Sequence, residues 1–254
     1  MIKIEKAAVR GLEPAIRGMR NPMNSWERSD SCEMTVAEIV GHPCNDGLQK
    51  EFVVGENDIS LMEKLANAGS VHAKYRRMIV VWVDITAPLY FWKEFDTYKV
   101  GTVANSCSTM HTIADKPFDI FDFSHDHLML DRIVYSDSHL SDCANHTELM
   151  KNGYFDKDFI TSSLGVLGIT IDALNIYRDL YLRTKDKRYW WQMIQLLPSS
   201  YNQKRTIMLS YEVLANMYAY RKDHKLDEWV EFCKWIETLP LSQLITDSDR
   251  TFKE

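Results

Sequence analysis

The sequence predicts an α+β fold in which a small sheet is flanked by long helices, and three features carry that prediction. The run RMIVVWVDIT, from Arg77 to Thr86, is apolar and rich in β-branched residues, which is typical of a buried strand. The segment NDISLMEKLANAG, from Asn57 to Gly69, spaces its apolar side chains along one helical face. The chain beyond Leu167 repeats that spacing in four more segments, so helices should dominate the C-terminal half.

The N-terminal segment, residues 1–56, is predicted to be rich in loops. Its stretch from Ala15 to Ser31 mixes arginines with glycine, proline and asparagine and has no apolar period. Arg17, Arg20 and Asn21 stand together in RGMRNP. An exposed basic turn is the first interpretation of this composition, and two arginines beside glycine and proline would also suit a phosphate.

The next block, residues 57–111, is predicted to run helix, strand, helix and polar stretch. Asn57 or Asp58 can cap the first helix, and Gly69 ends it. After the strand, Pro88 suits the first turn of the helix LYFWKEF, because proline lacks the N–H that this turn leaves unpaired.

The stretch YKVGTVANSCSTMH, from Tyr98 to His111, has no apolar period and few charges. Gly101 allows the backbone to approach a ligand closely. Four side chains that can hydrogen bond follow it: Thr102, Asn105, Ser106 and Ser108. We interpret the stretch as a loop that binds a phosphate or a ring, and a polar surface loop capped by serine or asparagine is the alternative.

Helices are predicted over most of residues 165–240. They cover Leu167–Arg183, Lys187–Leu197 (ended by Pro198), Thr206–Arg221 and Asp227–Leu239. Lys204 and Arg205 precede the third helix, where a helix N-terminus would complete an anion site; an exposed basic turn is the alternative. Four aromatic-rich helices carry more apolar surface than a small sheet covers, so we expect self-association.

Composition limits the function classes. The 254 residues are 45% hydrophobic, enough for a real core, and the net charge of −6 argues against general nucleic-acid binding. The five cysteines, Cys32, Cys44, Cys107, Cys143 and Cys233, include no C-x-x-C pair, which favours a reducing, intracellular setting. No signal peptide or membrane-length apolar run is visible, so we expect a soluble cytoplasmic protein.

A metal site is not predicted. His125 and His127 are followed by His139, Cys143 and His146, but their spacing matches no specific zinc signature. Cys107 lies inside the polar stretch, where a small core residue is a better interpretation than a nucleophile.

Two blocks of the chain resemble the flavin-dependent thymidylate synthase (ThyX) family. In that family a strand and a helix lead into the motif R-H-R-x-x-S-x-N-x-x-S-x-R-Y. Here Glu94 stands where the family often has Gln. The motif then falls on Thr97, Tyr98, Lys99 and Thr102 and, after one inserted residue, on Asn105, Ser108, Met110 and His111.

The second block is QLLPSSYNQKRTIMLSYEVLANMYAYR, which begins at Gln195 and resembles the family's stretch from Leu-Pro to a helix ending in Leu-Arg. Leu214 and Asn216 match, and Arg221 falls on the arginine that holds the pyrimidine in the family. Four positions depart from the family pattern: Ile194, Ser210, Glu212 and Lys225.

The resemblance implies a single ThyX-like domain over residues 1–254, a homotetramer with active sites between subunits, and reductive methylation of dUMP to dTMP. In that reaction methylene-tetrahydrofolate gives the carbon and reduced FAD the hydride. Arg221 would be the catalytic residue that orients and polarises the uracil. The implied cofactor-binding residues are Lys99, Thr102, Asn105 and Asn216. The implied substrate-binding residues are Glu94, Ser108, Lys204 and Arg205.

Other interpretations stay open. Without the resemblance, Arg221 is a cation that stabilises a helix C-terminus, and Asn216 is a locally satisfied polar residue. Because Thr97 and Met110 replace arginines, whose planar fork neither can reproduce, the chain could instead be a non-catalytic descendant that binds another nucleotide or a protein partner. A purely structural oligomer is a third option.

Overall fold

A computed structural model describes residues 2–40, 50–130 and 162–247 of the chain. It divides into two compact units. The first unit contains Met1–Cys107 and Gln203–Glu254, and the second contains Ser108–Asn202. Helices and a small antiparallel sheet make up the fold, so the predicted α+β class is confirmed.

The sheet of the first unit has four strands in the order β1, β4, β6, β5. Their bounds are β1 Lys3–Arg10, β4 Val80–Pro88, β5 Thr102–Ser106 and β6 Asn202–Ser210. β1 pairs antiparallel with β4, as β5 does with β6. β6 also runs antiparallel to β4, because Tyr211 N, just after β6, donates to Ile79 O, just before β4, while Thr206 donates to Asp84. A separate pair joins β2 Cys32–Thr35 to β3 Lys50–Val53.

Ten α-helices are assigned within the described residues. In chain order they are α1 Leu12–Arg20, α2 Val36–Val40, α3 Glu56–Asn67, α4 Leu89–Phe95, α5 Thr109–Thr112, α6 Ser163–Thr184, α7 Lys187–Leu196, α8 Tyr211–Arg221, α9 Asp227–Glu237 and α10 Gln243–Thr246. Helices α5, α6 and α7 belong to the second unit and the others to the first. In this part of the chain no helix is long and apolar enough to cross a bilayer.

The core of the first unit lies on one face of the sheet. Alternate residues of β4 and β6 point into it, since side chains alternate faces along a strand; they are Val81, Val83, Ile85, Ile207 and Leu209, each at most 1% exposed. Helices α4 and α9 cover this face with the fully buried rings of Phe91, Trp92, Phe95, Trp229 and Phe232. Burying each such side chain stabilises the fold by about 1.5–3 kcal/mol.

The second unit has its own smaller core. Ser162 caps α6 by accepting from Gly165 N, and Asp186 caps α7 by accepting from Arg188 N. The Asn175 side chain on α6 bonds both Phe118 N (2.8 Å) and Phe118 O (3.0 Å), which fixes the preceding loop against the helix. The buried apolar residues of this unit include Ile113, Phe118, Phe123, Leu167, Leu174 and Met193.

Two predictions for the N-terminal half are wrong. The loop predicted from Ala15 to Ser31 begins inside α1, whose Ala15, Ile16 and Met19 are buried. Neither Asn57 nor Asp58 caps α3. Asp30 does so from a distant turn, because its carboxylate accepts from Asn57 N (2.9 Å) and Asp58 N (3.2 Å).

Three boundaries differ from expectation in the rest of the chain. The predicted strand Arg77–Thr86 is shifted to Val80–Pro88, and Pro88 is the residue before α4 rather than inside its first turn. The helix predicted from Thr206 begins only at Tyr211, because Asn202–Ser210 forms β6. Helices α7 and α9 begin at their predicted residues and end one and two residues before their predicted ends. Helix α6 begins four residues before its predicted start and ends one residue after its predicted end.

Candidate functional site

Arg221, the residue that the resemblance places on the pyrimidine, lies in a compact polar cluster of the first unit. Three local structures position the cluster. Glu94 lies in the last turn of α4, where Thr97 Oγ1 donates to its carbonyl (2.7 Å) and closes the helix. Arg221 is the last residue of α8, and Trp229 lies in the first turn of α9.

The Arg221 guanidinium is held on several sides. Its Nη1 lies 2.7 Å from Glu94 Oε2, and its Nε donates to the Tyr98 hydroxyl at 3.0 Å. The guanidinium carbon stands 4.8 Å from the centre of the Trp229 ring and 5.7 Å from that of Tyr98, distances at which a cation is attracted to an aromatic face. These contacts fix the orientation of the side chain before any ligand arrives.

One carboxylate oxygen of Glu94 is fully engaged. Oε2 accepts from Arg221 Nη1 and also from Trp229 Nε1, at 3.1 Å. The indole N–H therefore fixes the carboxylate, while the indole ring supports the guanidinium that pairs with it.

The other polar atoms of this pair remain open. Within the described residues, no hydrogen bond or ion pair involves Arg221 Nη2 or Glu94 Oε1. The two side chains are 19% and 35% exposed, so a ligand can reach them. The cluster thus presents two N–H donors from Nη2 and one acceptor from Oε1.

His224 completes the cluster through one ring nitrogen. Leu226 N donates to Nδ1 at 3.1 Å, while Nε2 lies 2.8 Å from Arg221 Nη1 and 3.5 Å from Glu94 Oε2. A neutral imidazole has only one acceptor nitrogen, so both short contacts cannot be hydrogen bonds. The tautomer of the ring sets which of these two contacts is the hydrogen bond.

The sequence led us to expect Lys204 and Arg205 at a helix N-terminus. The structure places both within β6 instead. Lys204 Nζ is 3.1 Å from Asp84 Oδ2, and their hydrogen bond raises the pKa of Lys204. The pKa of Asp84 is lowered by hydrogen bonds from Thr206 and Lys204. Both groups therefore stay charged, and Lys204 is already paired with an internal carboxylate.

Arg205 is likewise paired inside the first unit. Its Nη1 lies 2.7 Å from Asp96 Oδ1, its Nε donates to Gln203 Oε1 at 3.0 Å, and its guanidinium carbon stands 4.3 Å above the Trp92 ring. The anion site that we predicted at a helix start is therefore wrong in position. The substrate-binding role of Lys204 and Arg205 stays a prediction.

The polar stretch that we expected to be a loop is partly an edge strand. Thr102–Ser106 pair one for one with Leu209–Arg205 of β6. Gly101 adopts a φ of +79°, and a side chain there would come within 3.2 Å of Val213 Cγ2, so the turn before β5 requires glycine. Asn105 is exposed on the strand.

Lys99, Thr102 and Asn216 form no hydrogen bond or ion pair with the Arg221 cluster in the described structure. The Thr102 hydroxyl is buried without a hydrogen-bond partner among the described residues, and the side chain of Lys99 is exposed. Asn216 is half-buried on α8. Ser108 belongs to the second unit, where its hydroxyl caps α5 by accepting from His111 N at 3.3 Å.

The RGMRNP segment does not offer the free arginine pair that a phosphate would need. Arg20 is buried, and its Nε lies 2.6 Å from Asp58 Oδ1. Asn21 is exposed and accepts from Trp26 Nε1 at 2.8 Å, and of the two arginines Arg17 is the exposed one. This segment lines an open cavity of about 1350 Å³, together with Arg28, His72 and Lys74. The Arg221 cluster does not line this cavity.

Neither a metal site nor a reactive thiol is apparent in the part of the chain that the structure describes. No group of three or more histidines, cysteines or acids is arranged there to hold a metal ion, and His139, Cys143 and His146 fall outside the described residues. Cys107 is an exposed free thiol at the end of β5, not the core residue that we expected.

Sequence reasoning missed two members of the cluster. Trp229 falls in the predicted helix Asp227–Leu239 and was not singled out; it is fully buried, and its N–H reaches Glu94. His224 was not singled out. Its position three residues after Arg221 in the chain is the local signal that could have identified it.

No protein-family model matches the chain, and no curated protein matches it. Solved structures do. Two structures of thymidylate synthase ThyX from Helicobacter pylori, both with FAD and dUMP, match with TM-scores of 0.60 and 0.59, each at 17% identity. They cover 97% and 96% of this chain and 98% of theirs.

A third match is a UMP/dUMP methylase, PolB from Streptomyces cacaoi, bound with 5-Br dUMP. Its TM-score is 0.51 at 12% identity, over 98% of this chain and 96% of that one. The chain therefore has the ThyX fold, and the resemblance predicted from the two sequence blocks is confirmed at the level of the fold.

Proposed function

We propose that this chain binds a pyrimidine deoxynucleotide, with the base at the Arg221 cluster, and that it transfers a one-carbon group to that base in a flavin-dependent reaction. The observation that carries the proposal is the pre-oriented Arg221, whose Nη2 has no partner among the described residues, as Oε1 of its ion-pair partner Glu94 has none. A pyrimidine edge offers the carbonyl oxygen and the ring N–H or amino group that such a pair binds.

The role of Arg221 follows from its neighbours. A charged donor that approaches a pyrimidine carbonyl withdraws electron density from the ring and stabilises negative charge that develops there. Because Tyr98, Glu94 and Trp229 already fix the guanidinium, little reorganisation is needed when the base arrives. Arg221 is therefore the residue we assign to orient and polarise the base.

The residues fit an FAD group only in part. Of the positions that the resemblance assigns to the flavin, Lys99 supplies an exposed cation for a phosphate, and the buried Thr102 hydroxyl lacks a partner in the described residues. When bound, FAD would supply the hydride for the transfer. Lys99 and Thr102 would hold it, while Asn105 and Asn216 are further donors on β5 and α8.

A second candidate is a nucleotide-binding protein without catalysis. It is favoured by Thr97 and Met110, which stand where the family has arginines and are both exposed without a charge. In that case the Arg221 cluster would bind the nucleotide in the same way, but no flavin would be retained. The homotetramer, the single-domain organisation and the cytoplasmic location implied by the sequence stay predictions.

Two measurements test the proposal. An absorbance spectrum with and without added FAD reports flavin binding, and calorimetric titration with dUMP reports the nucleotide site. The proposal expects flavin bands that shift when nucleotide is added. A protein that binds nucleotide but no flavin supports the second candidate, and a protein that binds no pyrimidine nucleotide contradicts both.

A further inference from the structure

We propose that Tyr98 is a specificity-determining residue: its hydroxyl occupies Arg221 Nε, and so the guanidinium binds a carbonyl oxygen of the base and excludes a phosphate. This rests on the proposed nucleotide-binding function and concerns the part of the nucleotide that Arg221 contacts. It follows from the two edges of the guanidinium, because an arginine clamps an oxyanion through two N–H groups on one edge.

The first edge of the Arg221 guanidinium carries the Nε–H and one N–H of Nη2, which point in the same direction because the group is planar. Nε donates to the Tyr98 hydroxyl at 3.0 Å. On this edge only Nη2 has no partner among the described residues. A phosphate that used both N–H groups would therefore have to displace the Tyr98 hydroxyl.

Tyr98 is itself held in place just beyond α4. Its backbone N–H donates to Phe95 O at 3.0 Å, and its ring packs at 60° to the Trp229 ring, with the two centres 6.0 Å apart. The side chain is half-buried against the core of the first unit. The hydroxyl is therefore a fixed part of the site, and an anion gains no free path to Nε.

The second edge carries one N–H of Nη1 and the other N–H of Nη2. Nη1 lies 2.7 Å from Glu94 Oε2 and 2.8 Å from His224 Nε2, so two neighbours already face its two N–H groups. A phosphate on this edge would lack the N–H of Nη1. It would also stand beside the Glu94 carboxylate, and two negative charges at such short range repel each other.

A pyrimidine carbonyl meets neither obstacle. It is satisfied by the single Nη2 N–H that remains on each edge of Arg221, and it carries no full charge for Glu94 to repel. A phosphate would forgo a charge-assisted hydrogen bond on either edge, which lowers affinity by about tenfold or more. We therefore expect Arg221 to contact the base and not the phosphate group.

The experiment is calorimetric titration of the full chain with deoxyuridine, which has the base but no phosphate. Each titration is made with and without inorganic phosphate at matched ionic strength, for the wild type, Tyr98→Phe and Tyr218→Phe. Tyr98→Phe removes only the hydroxyl. Tyr218→Phe is the matched control, because the Tyr218 hydroxyl on α8 donates to Glu237 at 2.8 Å, outside the cluster.

Phosphate should change the deoxyuridine affinity of the wild type and of Tyr218→Phe by less than about twofold. Tyr98→Phe frees Nε, so the edge opposite Nη1 and Glu94 becomes a two-donor fork for an oxyanion. Phosphate should then weaken deoxyuridine binding by about fivefold or more in this variant. A merely disturbed site would lose affinity for both ligands, whereas this result is a gain of phosphate binding.

Competition by phosphate in the wild type overturns the inference and leaves the proposed function standing. Absence of competition in Tyr98→Phe overturns the role of Tyr98. Binding of dUMP without binding of deoxyuridine also overturns the inference, because the phosphate would then carry the affinity. Absence of binding to either ligand overturns the proposed function and this inference with it. The wild-type titrations decide whether phosphate is excluded even if Tyr98→Phe folds poorly.

Discussion

Arg221 Nη1 lies 2.7 Å from Glu94 Oε2, an ion pair between residues 127 positions apart in the chain. It joins the C-terminal ends of α4 and α8. Both side chains are partly exposed, and ion pairs in contact with water typically contribute only about 1 kcal/mol or less, so we expect the fold to survive removal of this pair. Its value to the protein is therefore orientation of the guanidinium rather than stability.

Replacing Arg221 by alanine should weaken nucleotide binding while preserving the fold. We expect dUMP and dCMP affinity to fall about tenfold or more, since hydrogen bonds to a charged donor are lost. The melting temperature should change by only a few degrees. Calorimetry and thermal melting measure both effects.

Lys222→Ala is the matched control for that variant, because it removes the neighbouring exposed cation of the same helix end. Its affinity should equal that of the wild type. Equal loss of binding in both variants would mean that general positive charge, and not the positioned guanidinium, attracts the nucleotide.

Asp58→Asn should destabilise the first unit strongly. The Asp58 carboxylate is fully buried and accepts from Arg20 Nε, Ser29 Oγ and Ser31 Oγ, each at 2.6 Å. The amide leaves the buried Arg20 charge uncompensated, which costs about 3–5 kcal/mol of unfolding free energy. Denaturant unfolding measures it, and Glu56→Gln on the exposed side of the same helix should lose less than about 0.5 kcal/mol.

The same carboxylate predicts a pH dependence. Burial alone would raise the pKa of Asp58, but hydrogen bonds from Ser29, Ser31 and Arg20 outweigh it and lower the pKa. A folded-state pKa below the unfolded one means that the stabilisation is present above about pH 4 and is lost as the pH falls through the folded value. The stability difference between wild type and Asp58→Asn should therefore be constant near neutral pH and shrink below about pH 4. A difference that grows on acidification would contradict this sign.

The strand β6 shows where sequence reasoning reached its limit. Met208, Tyr211, Leu214 and Met217 fit a helical stripe, so the helix was predicted from Thr206 onward. Ile207 and Leu209 lie in a strand because β6 pairs with β4, more than a hundred positions earlier in the chain. A partner so distant in sequence leaves no local signal, whereas α7 was predicted closely because its cap and Pro198 are local.

The site was predictable in its parts but not in its arrangement. Glu94 and Arg221 were each named through the resemblance, yet only the folded chain reveals that they pair. Lys204 and Arg205 were singled out as free cations, and both prove to have acidic partners from other elements. Local composition identifies a charged side chain, but its partner depends on tertiary packing.

Two glycines should respond to alanine in opposite directions. Gly11 has a φ of +93°, and a Cβ there would lie 2.2 Å from Met78 O, so Gly11→Ala must displace backbone and destabilise the first unit. Gly168 lies within α6 with open space around it, so Gly168→Ala should stabilise that helix by about 0.5–1 kcal/mol. Denaturant unfolding of both variants compares them, and the same sign for both would contradict the prediction.

Cys233 should resist alkylation in the native protein. Burial on α9 is the main cause that raises the pKa of its thiol to about 12, with the nearby acids Glu237 and Asp223 adding to it, so almost no thiolate forms under mildly alkaline conditions. Cys32 and Cys107 are exposed free thiols and should be modified first. Peptide mapping after iodoacetamide treatment measures this, with denatured protein as the control in which Cys233 must react. If Cys233 in the native protein reacted as fast as Cys107, α9 would have to unfold locally on the timescale of the reaction. The hydrogen bond from Trp229 to Glu94 would then break at the same time.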